Sequence, residues 1–123
     1  MTRINVIPVG DLSVKHLVAE YRELPRIYKA SLNYFNNGEK YPLPEKYVLG
    51  TGHMKFFYDK LSFIQKRHQE LIDEMIRRGY NPNFSSEVDT KVKNLPSRFW
   101  KDYIPTIEAI KLNRDRIKER TKV

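Results

Sequence analysis

Three segments of the sequence carry apolar residues at steps of three and four, and this periodicity indicates helices. No segment shows the alternation of apolar and polar residues that is typical of a β-strand. The segments run from about 13 to 36, from about 53 to 78 and from about 105 to 120, with connections rich in Gly, Pro and Asn. The 123 residues are the length of one domain. We therefore predict an all-α fold, a single compact domain over residues 1–123 with three main helices and substantial loops.

The first predicted helix has an apolar side and a basic side. At 100° per residue, the core side holds Leu17, Tyr21, Leu24, Tyr28 and Phe35. The opposite side holds Lys15, Arg22, Arg26, Lys29 and Asn33. Pro25 lies in the middle, and we expect it to bend the helix without ending it, because the apolar stripe continues in phase beyond it.

The remaining segments carry further local signals. Gly79, preceded by two arginines, is expected to end the second helix, and Pro105 is suited to the first turn of the third. The aromatic residues just before the third helix are expected to pack in the core: Phe99, Trp100 and Tyr103. His53 is expected to serve a helix start or packing, whereas His68, in a charged stretch, is expected to face solvent.

Composition excludes several classes of protein. There are no cysteines, which excludes disulfides, thiolate zinc sites, iron–sulfur clusters and a cysteine nucleophile. The three histidines have no metal-ligand spacing. No apolar run approaches the roughly 20 residues of a membrane-spanning helix. The N-terminus lacks the apolar region of a signal peptide, so we expect an intracellular, cytoplasmic protein.

The net charge points to a polyanionic partner. Lys and Arg number 23 against 15 Asp and Glu, which gives a net charge of +8. Small proteins this basic typically bind nucleic acid, although a merely basic surface is the alternative. Arg22 and Arg26 are four residues apart and can address neighbouring phosphates. Glu23 would repel phosphate there, so it has either a catalytic role or a structural salt bridge to one of the two arginines.

Five strings carry a resemblance to a known family. They are Met1–Asn5, His16–Arg26, Leu49–His53, Phe56–Leu61 and Asp102–Pro105. In order and at similar separations, they resemble the pyrimidine-dimer DNA glycosylases of the phage endonuclease V family. The matches extend over nearly the whole chain, and the block that ends Tyr-Arg-Glu-Leu-Pro-Arg is the most specific of them.

The resemblance implies an all-α, monomeric DNA repair enzyme that needs no metal or organic cofactor. Such an enzyme cuts the glycosidic bond at a UV-induced cyclobutane pyrimidine dimer in double-stranded DNA and then nicks the strand by β-elimination. The initiating methionine is removed, and the exposed amine of Thr2 forms an imine with the sugar. Glu23 matches the family's essential carboxylate. From charge alone, the alternative is a non-catalytic, basic helical module that binds DNA.

The resemblance also implies DNA contacts at six positions: Arg3, His16, Arg22, Arg26, Arg116 and Arg120. Arg120 stands where the family's type member has a lysine. The phage enzyme carries an aromatic-rich segment after its third helix, whereas no aromatic residue follows Tyr103 here. The difference concerns lesion recognition, and other damaged bases or abasic sites are alternative substrates.

Overall fold

The computed structural model describes residues 4–50, 52–83 and 85–121, without the side chains of the last two residues of the third range. The described residues are mostly helical, with loops between the helices, and no strand forms among them. In chain order the α-helices are α1 (Val14–Glu23), α2 (Arg26–Asn36), α3 (His53–Phe56), α4 (Leu61–Arg77), α5 (Thr90–Lys93) and α6 (Ile107–Thr121). The predicted all-α class is confirmed. In the described ranges, no helix combines the length and hydropathy required to cross a membrane.

The first predicted helix is two helices, so the expectation that Pro25 only bends it was wrong. Pro25 has no N–H to donate to the carbonyl of Tyr21, four residues earlier. The chain tightens there into bonds between residues three apart, from Ile27 N–H to the Leu24 carbonyl (3.1 Å) and from Tyr28 N–H to the Pro25 carbonyl (3.1 Å). Helix α2 then continues the apolar stripe.

The other two predicted helices also differ at their boundaries. The second is divided into α3 and α4, because Lys60 leaves the helical conformation and pairs with Trp100 in an isolated antiparallel bridge. The third begins at Ile107, since Thr106 Oγ1 accepts the N–H of Ala109 (3.0 Å) and caps the first turn. Pro105 therefore precedes the helix and is not in its first turn. The short α5 lies in a stretch expected to be loop.

The core confirms the apolar stripes predicted from periodicity. The predicted core positions Leu17, Tyr21, Leu24 and Tyr28 are buried. Phe99 is buried, and the partly buried Trp100 and Tyr103 pack against the core, as predicted. Residues 4–7 form a buried, extended segment that contacts α1, α4 and α6 through side-chain hydrogen bonds.

Candidate functional site

The backbone of the N-terminal segment, residues 4–7, forms hydrogen bonds with side chains and, within the described ranges, not with the backbone of a neighbouring strand. The Oδ1 atom of Asn113, on α6, accepts the N–H groups of both Val6 (2.7 Å) and Ile7 (3.2 Å). The Arg67 guanidinium, on α4, donates to the Ile7 carbonyl (2.5 Å). Because the segment is buried, these bonds replace water and fix its path between the helices.

A buried polar cluster extends these contacts to α1; its members are Asn5, Glu20, Arg67 and Asn113. Arg67 binds the Glu20 carboxylate with two bonds, Nε to Oε2 (2.8 Å) and Nη2 to Oε1 (3.1 Å). The Asn5 amide donates to Glu20 Oε1 (2.8 Å) and accepts from the Asn113 amide (2.8 Å). All four side chains are buried. The cluster therefore fixes the N-terminal segment relative to α1, α4 and α6.

Glu23 is the last residue of α1 and lies one turn after Glu20. Its side chain is half-buried, and no ion pair joins it to Arg22 or to any other residue of the described ranges. The structural salt bridge that the sequence left open is thus not formed with either arginine. Within these ranges the Glu23 carboxylate adjoins Arg22 in sequence and lies three residues before Arg26 without an ion pair to either.

The basic face of α1 and α2 is exposed, as the helical projection predicts: Lys15, Arg22, Arg26, Lys29 and Asn33. Arg22 is in the last turn of α1, where a cation is favourable to the helix dipole. Arg26 is the first residue of α2, where the positive end of a second dipole adds to its own charge. At the α1–α2 junction two guanidinium groups thus accompany one carboxylate, that of Glu23, and this excess of positive charge favours an anion such as phosphate.

His16 lies in the first turn of α1 and is half-buried. Ser13 caps this helix, and its Oγ accepts the His16 N–H (3.3 Å) and lies 2.8 Å from His16 Nδ1. His16 and Glu23 are seven residues apart, so the helical period puts them on the same face of α1. The structure thus brings His16, Glu23 and the arginines to the same helix and its junction with α2.

A cleft of about 690 Å³ opens beside Arg22 and Lys29. Its walls are the α1–α2 junction, His68 of α4, Asn83 and several residues of the range 85–92. Charged residues of both signs line it, since Lys91, Asp89 and Glu87 are present besides the two basic residues. This volume is within the range of pockets that bind small organic groups, about 300–1,000 Å³.

Two of the residues that line this cleft, Tyr28 and His68, each have a buried polar atom without a hydrogen-bond partner in the described ranges, Tyr28 Oη and His68 Nδ1. His68 is buried, so the expectation that it faces solvent was wrong. Its Nε2 lies 3.1 Å from the Tyr21 carbonyl, the one that Pro25 leaves unpaired, and the carbonyl requires a proton on Nε2. Nδ1 is then an acceptor, while burial raises the pKa of the Tyr28 phenol and keeps it a donor.

The remaining predicted site residues are near the N-terminus or on α6. Arg116 is one turn after Asn113, so it lies on the face of α6 that meets the N-terminal segment. Its Nε is buried without a hydrogen-bond partner among the described residues, and its Nη1 is 3.5 Å from Glu119 Oε2. Thr2 and Arg3 lie outside the described residues, as does the side chain of Arg120.

No group of three His, Asp or Glu side chains in the described ranges is arranged to hold a metal ion. The residues that sequence reasoning missed are those of the polar cluster and the cleft. A charged residue within an apolar stripe was the available signal: Glu20 lies between Leu17 and Leu24, and Arg67 lies between Ile64 and Leu71.

Comparison with known families agrees with the sequence resemblance. The family model described as pyrimidine dimer DNA glycosylase matches residues 1–88. The match includes the N-terminal segment, α1 to α4 and part of the cleft, whereas Arg116 and Arg120 lie beyond it. Because it extends over more than half of the 123 residues, the chain belongs to the pyrimidine dimer DNA glycosylase family.

Proposed function

We propose that this protein removes pyrimidine dimers from double-stranded DNA as a bifunctional glycosylase and abasic-site lyase, with the amine of Thr2 as nucleophile. One observation carries the proposal. The N-terminal segment is bonded through Asn5 to Glu20, beside the basic α1–α2 junction and one turn before Glu23, whose carboxylate forms no ion pair within the described ranges. A chain end, a carboxylate and phosphate-binding cations are the groups that this chemistry needs.

The amine of a chain end is better suited to this attack than a lysine. Its ordinary pKa is about 7.7–8.0, whereas that of lysine is about 10.4, so far more of it is neutral near pH 7. The positive charges of Arg22 and Arg26 favour the neutral amine further. Removal of Met1 is required, because an amide at residue 2 has no nucleophilic lone pair.

The proposed reaction proceeds in two stages through an imine. The neutral amine attacks C1′ of the damaged nucleotide, the glycosidic bond breaks, and the base leaves with the bonding electrons. The amine nitrogen loses a proton and opens the sugar ring, whose O4′ is protonated. A proton is then removed from C2′, and the C3′–O bond breaks to release the 3′ phosphate. Water finally hydrolyses the imine and restores the amine.

Glu23 serves both stages in this proposal. Its negative charge stabilises the positive charge that develops on the sugar as the base departs, as carboxylates do in glycoside hydrolysis. The same carboxylate then accepts or relays the C2′ proton. A catalytic role therefore explains the carboxylate among the arginines, whereas DNA binding alone would not require it.

We propose further that Arg22, Arg26, Arg116, Arg3 and Arg120 contact phosphates around the lesion, with His16 near the sugar. An enzyme that acts on a base within a duplex must first distort the stack or extrude a nucleotide. The cleft beside Arg22 is large enough, at about 690 Å³, to receive an extruded base.

Strand scission of a duplex with a single thymine dimer tests this function. We expect the unmodified protein to nick it and Glu23→Gln to nick it about 10²- to 10⁴-fold more slowly, with DNA affinity retained. Glu70→Gln, at an exposed position on α4, is the matched control and should nick at the full rate.

Each outcome of this assay is informative. Full-rate nicking by Glu23→Gln contradicts the role of that carboxylate. Equal binding of damaged and intact duplex by the unmodified protein, without scission, contradicts the enzymatic proposal and supports a non-catalytic module. Scission of an abasic-site duplex but not of the dimer would retain the lyase and contradict the proposed substrate.

A further inference from the structure

The backbone of Ile4 is bonded by two side chains, that of Tyr47 in the loop before α3 and that of His53 at the start of α3. The Ile4 N–H donates to His53 Nε2 (2.8 Å), and the Tyr47 hydroxyl donates to the Ile4 carbonyl (3.2 Å). Ile4 is fully buried, so water cannot replace either bond. In the part of the chain that the structure describes, His53 accepts the backbone hydrogen bond closest to the N-terminus.

The partners of His53 fix its tautomer. Nδ1 lies 2.7 Å from the Val48 carbonyl, which can only accept a hydrogen bond. Nδ1 therefore carries the proton, and Nε2 presents the lone pair that the Ile4 N–H needs. A neutral His53 thus joins the loop to the N-terminal segment through both ring nitrogens.

The ring of His53 is also fixed by packing. It is buried and meets the rings of Tyr47 and Phe57 edge-on, with centroids 5.4 Å and 5.9 Å away. Gly52 precedes it with φ of +90°, and a Cβ there would lie 3.3 Å from Pro44 Cγ. The loop thus needs glycine at this position to bring His53 to the start of α3.

We propose that His53 is a positioning residue for the N-terminal amine, acting through the Ile4 N–H. The inference rests on the proposed function, because it takes the Thr2 amine as the nucleophile. Each residue adds at most about 3.6 Å of chain, so a fixed Ile4 limits where the amine of residue 2 can lie. Misplacement of a reacting group by about 1 Å can cost 10²-fold in rate.

Two conservative variants separate this role from a general contribution to stability. His53→Asn keeps an amide near the position of Nδ1, which can bond Val48, but it is too short to reach Ile4. His53→Gln places an amide oxygen near the position of Nε2, which can accept the Ile4 N–H. Positioning through Ile4 predicts that only the glutamine variant restores the rate.

The experiment is borohydride trapping of the imine on a duplex with a preformed abasic site, in single-turnover conditions at saturating protein. We expect His53→Asn to trap about 10- to 100-fold more slowly than the unmodified protein. We expect His53→Gln to be within roughly threefold of it, and the Kd of both variants for the duplex to stay within the same factor. Equal trapping rates for the two variants would overturn the inference.

Ser31→Ala is the control for lost stability. It removes a buried bond to the Tyr58 carbonyl (2.9 Å) and should lower the unfolding midpoint without slowing trapping. If a His53 variant is unfolded, Tyr47→Phe decides instead, since it removes the hydroxyl bond to the Ile4 carbonyl and keeps the ring. Slower trapping than by Ser31→Ala supports the inference, and an equal rate overturns it. No adduct with the unmodified protein contradicts the proposed function itself.

Discussion

The buried ion pair of Arg67 and Glu20 gives the largest stability effect that we expect from a single substitution. Arg67→Met removes two bonds to the Glu20 carboxylate and one to the Ile7 carbonyl. It leaves that carboxylate 2% exposed, with the Asn5 amide as its remaining partner in the cluster. Breaking a buried pair from one side typically costs about 3–5 kcal/mol.

Lys66, the preceding residue on α4, provides the matched control. Its ammonium pairs with Asp102 (2.6 Å), but the two side chains are 68% and 52% exposed. Such exposed pairs contribute about 0–1 kcal/mol, so Lys66→Met should leave stability nearly unchanged. The two substitutions remove a cation from neighbouring positions and differ mainly in burial.

Urea unfolding followed by circular dichroism measures both variants. With a slope of about 2 kcal/mol per molar urea, Arg67→Met should lower the midpoint by about 1.5–2.5 M. The double variant Glu20→Gln, Arg67→Met should be more stable than Arg67→Met alone, because no buried charge is then left unpaired. A loss below about 1 kcal/mol for Arg67→Met would refute the reasoning, because that is the range of an exposed pair.

Three further predictions concern other parts of the molecule. Burial lowers the pKa of His68 below its ordinary value of about 6.5. At a pH near or below that value the unfolded chain therefore binds more protons than the folded chain, and the free energy of unfolding should fall as the pH is lowered. His68→Gln should make the unfolding free energy, measured by urea titration at several pH values, depend less steeply on pH. An unchanged pH dependence would contradict this role of His68. Arg22→Gln should reduce the slope of log Kd against log salt on intact duplex by about 1, whereas an unaltered slope would exclude a phosphate contact. Ser85 lines the cleft, and Ser85→Trp should fill it. When 2-aminopurine is placed opposite the dimer, its fluorescence should rise as the base leaves the stack on binding to the unmodified protein, and this rise should be absent with Ser85→Trp. A full rise with the variant would mean that the extruded base lies elsewhere.

The apolar stripes were predictable because they depend on local periodicity. Leu17, Tyr21 and Leu24 repeat at helical steps and are buried, whichever residues they contact. The basic face of α1 and α2 was predictable for the same reason. Its arginines are exposed because the opposite side of each helix packs in the core.

The break at Pro25 was not predictable from periodicity. The Tyr21 carbonyl that loses its helical partner is bonded by His68, which is 47 residues away in sequence. Because this distant donor satisfies the carbonyl, the helix can end before Pro25 without a buried unpaired acceptor. The same bond explains why a histidine in a charged stretch is buried. The charged residues around His68 favoured the prediction of an exposed side chain, because the local sequence contains no information about a contact with a residue so far away.

The polar cluster depends on pairings that are equally distant or more distant in sequence. Asn5 and Asn113 are 108 residues apart, and Arg67 is 47 residues from Glu20. Glu20 and Arg67 each interrupt an apolar stripe in the sequence, but only the assembled fold shows which residues satisfy them. The path of the N-terminal segment, on which the proposed chemistry depends, therefore emerges from the tertiary structure.

The central claim is that the amine of residue 2 attacks the sugar, and covalent trapping tests it most directly. Untagged protein, shown by mass to lack Met1, is mixed with a thymine-dimer duplex and borohydride, and the adduct is located by mass spectrometry. We predict a single protein–DNA adduct on the amine of Thr2. An adduct on a lysine side chain, or no adduct on either dimer or abasic duplex, would contradict the account.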